Sequence, residues 1–191
     1  MSGERSSKAT PNDIFQSAWY WLVLLLFAAY NAALWFILGP SSPWYAVSVT
    51  SWTFGLGPAV AGPLTRRVPG QWFRVPAGER LLHGVVGVGI FGWLLDVSGW
   101  NRRVAEPMRG FSGKRAGLLS LEQGVRSNVV AHGFCFTFHI LLAVLALFTR
   151  HPVSGALWML LPGVVVHLYP VLLQRSIMLR LQPLLDKNRA R

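Results

Sequence analysis

Residues 18–38 contain no charged side chain, and this 21-residue run limits what the chain can fold into more than any other feature. At a helical rise of ~1.5 Å per residue, a run of that length crosses the ~30 Å hydrocarbon core of a bilayer. Trp19 and Trp21 near its start and Trp35 near its end are typical of membrane–water interfaces. The run is too long for the apolar core of a signal peptide, so it predicts a transmembrane helix.

The rest of the chain is also rich in apolar segments. Only 13% of the residues are charged, against ~25% in soluble domains. Further spans are predicted at 44–64, 128–148 and 153–173, and the first of these contains the small and hydroxylated residues typical of a helix packed among helices. Residues 81–98 are too short to span and are predicted to form a cytoplasmic interfacial or re-entrant helix. The fold class is therefore an all-α integral membrane protein with about four transmembrane helices.

The net charge of +11 is distributed unevenly along the chain. Every Lys and Arg except Arg150 falls on one side of the four-span arrangement. By the positive-inside rule, this predicts a multi-pass protein of the cell membrane with both termini in the cytoplasm. Residues 1–17 are predicted to be a disordered tail and residues 174–191 a basic tail. Because the cations are concentrated between apolar runs, they favour membrane headgroups, and we expect no nucleic-acid partner.

Two motifs are weak as evidence for function. Gly87, Gly89 and Gly92 fit the G-x-G-x-x-G pattern, but no strand or βαβ unit accompanies them. Small residues at a helix-packing surface explain this pattern better than a nucleotide site does. The single cysteine, Cys135, lies in an apolar run, and no Cys/His spacing resembles a zinc site. We therefore expect no bound metal.

Ionisable residues gather along the third predicted span and just before it. Glu122 and Arg126 are four residues apart, so they can pair on one helix face. His132 and His139 are seven apart and also share a face. Polar groups at membrane depth normally face the bundle interior or a water-filled cavity. For His139 we favour a hydrogen bond to a neighbouring helix, whereas for His132 that interpretation and a functional one both stay open.

The last predicted span contains a matching polar stripe. His167, Gln174 and Met178 follow one another at helical spacing, and Arg175 and Arg180 lie just outside the apolar run. One interpretation is a cationic anchor that reaches to headgroups. The other is an anion clamp beside an intramembrane histidine, able to hold a phosphate or an activated acyl donor.

The stripe also resembles a known motif. Residues 167–175, His-Leu-Tyr-Pro-Val-Leu-Leu-Gln-Arg, followed by Arg180 and Leu181, resemble the closing motif of the glycosyl-4,4'-diaponeurosporenoate acyltransferase family. The acidic and basic helix leading to His132, and the amphipathic segment at 79–95, are similar to that family as well. The resemblance covers about residues 72–185. The chain departs from the family pattern at three positions. His167 stands where the family has Asn, Val129 where it has Glu, and Met178 where it has Arg.

The resemblance implies an acyltransferase that moves a fatty acyl group to a hydroxyl of a lipid or glycolipid acceptor, as in carotenoid glycoside biosynthesis. It implies His132 as general base, with His167 as a second catalytic candidate. It also implies a set of substrate-binding residues, namely Glu122, Arg126, Gln174, Arg175 and Arg180. No cofactor is expected to be bound, and an activated acyl donor is the co-substrate. The partner is the membrane lipid substrate, and a homo-oligomer is left open.

Two other function classes fit the same sequence. A non-catalytic membrane protein would bind anionic lipid, or assemble with a larger complex, through the basic loop between the second and third spans. A transporter subunit would depend on Asn31 and on the hydroxylated second span. Loss of activity in a His132→Ala protein that still folds would favour the enzyme over both.

Overall fold

A computed structural model of the protein describes residues 11–109 and 114–189. Of these described residues, 86% are helical and none lies in a β-strand. The described residues form eight α-helices: α1 Pro11–Leu38, α2 Pro43–Thr65, α3 Glu79–Val85, α4 Val88–Val97, α5 Glu106–Arg109, α6 Leu118–Ala146, α7 Pro152–Gly163 and α8 Tyr169–Arg189.

Three stretches are long and apolar enough to cross a membrane: Trp21–Leu38, Arg115–Ala146 and Pro152–Asn188. Helix α2, at 23 residues, has the length of a span but is less apolar than these three. Phe36 and Phe148 are each 85% exposed, as expected of side chains that face lipid rather than water. The fold is thus an all-α integral membrane protein, as predicted.

Helices α3 and α4 form a bent pair with an angle of 61° between them. Gly87 at the break has φ +71°, a left-handed conformation that glycine adopts without strain. The Tyr169 hydroxyl donates a hydrogen bond of 2.9 Å to the carbonyl of Val86, which ties the bend to α8. This geometry is that of a re-entrant loop or a broken span, in the region predicted to be an interfacial or re-entrant helix.

The first helix begins earlier than predicted. Helix α1 starts at Pro11, so residues 11–17, predicted to be part of a disordered tail, are helical. Proline suits the first turn of a helix, because its missing N–H would have no partner there and its φ is already helical. The remainder of the predicted tail, residues 1–10, lies outside the described residues.

The last helix continues beyond residue 173, where the predicted span ends. Helix α8 continues through most of the segment predicted to be a basic tail. Met178, Leu181 and Leu185 are buried in a cluster with Leu118 and Val125 of the α6 region. This apolar face lets the helix pack on α6 beyond the predicted boundary, because in proteins tertiary packing stabilises a helix more than propensity does.

Helix α6 lies at the centre of the bundle and packs against α2, α7 and α8. Between α7 and α8 the chain forms a π turn, Val164–Leu168. Pro170 lacks an N–H and its ring would clash with the carbonyl of Val166 in a regular α-helix. The π turn therefore lies where a regular α-helix is disfavoured, and π turns of this kind are frequent at functional sites.

Candidate functional site

Three histidines and one threonine meet inside the bundle, and we call them the histidine cluster: Thr53 of α2, His132 and His139 of α6, and His167 of the π turn. His139 and His167 are fully buried, and His132 is half-buried. The Nδ1 atoms of His132 and His167 are 3.2 Å apart. Thr53 Oγ1 lies 2.9 Å from His167 Nε2 and 3.4 Å from His139 Nε2.

Close helix packing brings these side chains together. Gly163 of α7 lies so near α6 that an added Cβ would be 2.7 Å from Cβ of His139. This approach lets His139 Nδ1 lie 2.9 Å from the carbonyl of Met159, so the hydrogen bond to a neighbouring helix favoured for His139 is present. Cys135 donates to the carbonyl of Thr53 over 3.2 Å and thereby joins α6 to α2.

Hydrogen-bond accounting assigns the ring hydrogens of the cluster. No carboxylate among the described residues pairs with these rings, and burying an unpaired charge is costly, so we treat them as neutral. A carbonyl only accepts, so His139 Nδ1 donates to Met159 and its Nε2 can only accept. Thr53 Oγ1 also lies 2.9 Å from the carbonyl of Val49. The one hydrogen of the Thr53 hydroxyl therefore faces two acceptors, the carbonyl of Val49 and Nε2 of His139. The contact between Thr53 Oγ1 and His167 Nε2 is then satisfied when His167 donates.

The same rule fixes the ring hydrogens at the half-buried end of the cluster, where His167 meets His132. A neutral His167 that donates from Nε2 has a bare Nδ1, which accepts a hydrogen bond. His132 Nδ1 must therefore be the donor across the 3.2 Å contact. This leaves Nε2 of His132 with a free lone pair. Chemically, the arrangement can accept a proton at His132, the member of the cluster that is not fully buried.

The histidine cluster is not arranged as a metal centre. Within residues 11–109 and 114–189, no group of three His, Cys, Asp or Glu side chains is placed to hold a metal ion. The nitrogens instead face one another and the Thr53 hydroxyl in pairs at hydrogen-bond distance. The contacts thus suit proton transfer, since zinc would need its ligand nitrogens turned towards one common point.

A cavity of about 210 Å³ lies between α6, α8 and the turn Gly70–Phe73. Its charged and amide-bearing lining residues are Arg74, Glu122, Arg126, Gln182 and Asp186. As the spacing predicted, Nη2 of Arg126 lies 2.6 Å from Oε1 of Glu122. The Arg126 guanidinium also lies 5.0 Å from the centre of the Phe73 ring, a cation–π contact.

Arg175 has a different role from the one its sequence position suggested. Its Nε and Nη2 contact the two carboxylate oxygens of Glu79 at 2.8 and 2.5 Å, and its Nη1 donates to the carbonyl of Trp72 over 3.3 Å. The hydrogen bonds from Arg175 lower the pKa of the Glu79 carboxyl. This bidentate pair joins the bent pair α3–α4 to α8. We call this pair and the Glu122–Arg126 pair together the charged layer.

The remaining predicted residues of α8 differ in burial. Gln174 is 8% exposed, and its Oε1 has no hydrogen-bond partner in the described part of the chain. Arg180 is exposed and forms no ion pair with a described residue. Arg175 is thus already paired with Glu79, whereas Arg180 is not paired with a described residue, and the anion clamp stays an interpretation. The structure does bring His132 to His167, which sequence spacing alone could not indicate.

Two residues of the site were missed at the level of sequence. Thr53 was one of several hydroxylated residues in the second predicted span, and nothing in its local pattern set it apart. Glu79 is 96 residues from its partner Arg175, so only tertiary packing pairs them. The sequence pattern of the glycosyl-4,4'-diaponeurosporenoate acyltransferase family matches residues 69–187, which is more than half of the chain.

The chain belongs to this acyltransferase family. The match covers α3 to α8 and so includes every site residue that the resemblance had indicated, from Glu122 to Arg180. Helices α1 and α2, and with them Thr53, lie outside it. No curated protein and no solved structure matches the chain. Membership of the family supports an acyltransferase role in general terms.

Proposed function

We propose that the protein is a membrane-bound acyltransferase, which transfers a fatty acyl group from an activated donor to a hydroxyl of a lipid or glycolipid acceptor. The proposal rests on one observation, the series of hydrogen-bond contacts between the carbonyl of Met159 and His132. The contacts run through His139, Thr53 and His167. It gives a half-buried imidazole with a free lone pair in a chain whose family name describes acyl transfer.

In the proposed reaction, His132 Nε2 accepts the hydroxyl proton of the acceptor as its oxygen attacks the acyl carbonyl. The new acceptor O–acyl bond forms while the bond between acyl group and donor breaks. The proton then passes from His132 to the leaving group of the donor. His167 supports this transfer, because its Nδ1 accepts from His132 Nδ1–H and stabilises the imidazolium as it forms.

The other predicted site residues take roles that follow their surroundings. Glu122 and Arg126 line the cavity and are candidates for substrate binding. Gln174 has a buried amide oxygen free to accept from a substrate hydroxyl. Arg180, being exposed, would meet headgroup anions, whereas Arg175 positions the bent pair through Glu79. We infer from the distribution of Lys and Arg that both termini are cytoplasmic and that the membrane is the cell membrane.

The test compares lipid extracts from cells with the gene intact, deleted, or carrying His132→Ala. We expect one acylated lipid to disappear on deletion and to fall by roughly 10²–10⁴-fold in the variant, since that is the usual contribution of a general base. Its mass should exceed that of an accumulating precursor by one fatty acyl group. The precursor then identifies the acceptor.

His151→Ala is the matched control, because His151 is exposed in the turn before α7 and lies outside the histidine cluster. It should leave the acylated lipid at its normal level. Membrane content of each variant is measured by immunoblot. Full product from His132→Ala would contradict the role of His132, and an unchanged lipid profile on deletion would contradict the acyltransferase itself.

A further inference from the structure

We propose that the cavity between α6, α8 and Gly70–Phe73 binds the headgroup of a zwitterionic phospholipid, and that this phospholipid is the acyl donor. The inference rests on the proposed function and names its donor class. The first observation is the size of the cavity, about 210 Å³. That is room for a phosphate with a short amine arm. A nucleotide-bearing acyl carrier needs the larger sites of ~300–1,000 Å³ that hold drug-sized ligands.

The charges around the cavity balance. Arg74 and Arg126 supply two positive charges, and Glu122 and Asp186 supply two negative ones. A net-neutral lining with both signs is complementary to a headgroup that carries both signs. A polyanionic donor such as an acyl-coenzyme A would bring its phosphates against two carboxylates without enough cations to offset them.

The individual groups also have capacity left for a ligand. Nε of Arg126 is buried and has no hydrogen-bond partner in the described chain, although Nη2 binds Glu122. Arg74 and Asp186 are exposed side chains that form no ion pair with another described residue. The lipid phosphate would thus bind Arg126 and Arg74, and the ammonium group would bind Asp186.

The depth of the cavity relative to His132 fits a phospholipid. Arg126 and His132 are six residues apart on α6, which is ~9 Å along the helix axis. The headgroup layer of each leaflet is roughly 5–8 Å thick, so the ester groups lie about that far below the phosphate. A phosphate held at Arg126 therefore brings the donor ester near the level of His132. Gln174, buried on α8, lies along the same face as Met178 and Gln182 of the cavity.

The chemistry balances without a further co-reactant. The acceptor oxygen forms an ester bond to the acyl carbon while the donor's glycerol oxygen leaves. The acceptor proton moves to His132 and then to that glycerol oxygen, which gives a lysophospholipid. One ester is exchanged for another, so no oxidant, reductant or nucleotide is consumed.

The experiment measures binding to the purified full-length protein in detergent, with three probes: dihexanoyl-phosphatidylethanolamine, dihexanoyl-phosphatidylglycerol and coenzyme A. We expect the ethanolamine lipid to bind at least about tenfold more tightly than the other two. Asp186→Asn should weaken ethanolamine-lipid binding about tenfold and improve glycerol-lipid binding, because the site then carries a net positive charge. Lys187→Gln, at an exposed neighbouring position outside the cavity lining, should leave both affinities unchanged.

Two outcomes would overturn the proposal: equal or tighter binding of phosphatidylglycerol or coenzyme A by the wild type, and an Asp186→Asn protein with an unaltered preference. The binding assay also separates this proposal from the proposed function. His132→Ala should bind the ethanolamine lipid as the wild type does, since His132 does not line the cavity. A protein that loses its cellular acylated product on His132→Ala but does not bind the ethanolamine lipid would be an acyltransferase with another donor.

Discussion

The histidine cluster and the charged layer hold the same helices together by different physical means. In the cluster, neutral rings and one hydroxyl share hydrogens, with Thr53, His139 and His167 fully buried and His132 half-buried. In the charged layer, whole charges are paired: the side chains of Arg175 and Glu79 are about one fifth exposed, that of Arg126 is 31% exposed, and that of Glu122 is buried at 9%. An unpaired charge at the depth of the cluster would cost far more than it does at the layer. In the proposed mechanism, proton transfer and charge binding would therefore take place in different surroundings.

The difference also predicts how each region tolerates change. Directional hydrogen bonds in a tightly packed interior depend on sub-ångström placement, because a misplaced buried polar group loses its partner without gaining water. Ion pairs near the interface retain water as an alternative partner and contribute less to stability. The same size of perturbation should thus damage the cluster more than the layer.

The largest effect is expected from Gly163→Ala. The new Cβ would lie 2.7 Å from Cβ and 2.9 Å from Cγ of His139, and the Cβ atom cannot move without displacing α6. Overpacking of this kind costs ~1–3 kcal/mol, and we expect activity to fall by one to two orders of magnitude as the hydrogen bonds of the cluster lengthen. Thermal unfolding in detergent and the level of acylated lipid in cell extracts measure the two effects.

Gly124→Ala on α6 is the control, since an added Cβ there meets nothing within 4 Å. It should be neutral or slightly stabilising, because alanine favours a helix over glycine by up to ~1 kcal/mol. If Gly163→Ala were as stable and active as Gly124→Ala, the close packing around His139 would not be what holds the cluster in place.

The next effect is expected from Thr53→Val, which removes the hydroxyl between His167 and His139 while keeping the shape of the side chain. Without it, His167 Nε2 has no acceptor, and the tautomer that leaves Nε2 of His132 free is no longer favoured. We expect kcat to fall about tenfold with little change in KM, and the pH–activity profile to shift, since Thr53 acts through the ring hydrogens.

Thr50→Val separates this effect from a general loss of a helix hydroxyl. Thr50 is on the same helix, and its hydroxyl donates to the carbonyl of Ala46 over 2.8 Å, outside the cluster. Equal kinetic parameters and equal pH profiles in the two valine variants would remove Thr53 from the proposed mechanism.

The sequence indicated the polar face of each helix but not how the faces meet. His167, Gln174 and Met178, recognised as one stripe, are all buried in the structure. The stripe was visible because helical period relates residues on one helix. Thr53 and His167 are 114 residues apart, and only the packing of α2 against α6 and the π turn relates them. Local periodicity carries no information on such a pairing.

The same limit applies to the anion clamp, which was one of two interpretations of Arg175 and Arg180. Arg175 and Arg180 are neighbours in sequence, but five residues turn an α-helix by about 140° beyond a full turn, so the two side chains leave on different faces. Arg175 therefore binds Glu79 of the bent pair, whereas Arg180 stays exposed. The family match could not correct this, since it relates positions rather than contacts.

The smallest effect is expected from Glu79→Gln, which tests the charged layer. Because the hydrogen bonds from Arg175 lower the pKa of Glu79 below its ordinary value of 4.5, the pair stabilises the fold above that pH. Its contribution is lost as the pH falls through the lowered pKa. At pH 7 we expect the variant to unfold a few degrees below the wild type, and the difference should shrink below about pH 4.

Glu106→Gln is the control, because Glu106 is exposed and forms no ion pair with a described residue. Acylated lipid should fall less than in Thr53→Val. A larger loss of activity from Glu79→Gln than from Thr53→Val would reverse the comparison and make the bent pair, held by Glu79 against α8, the more sensitive part of the site.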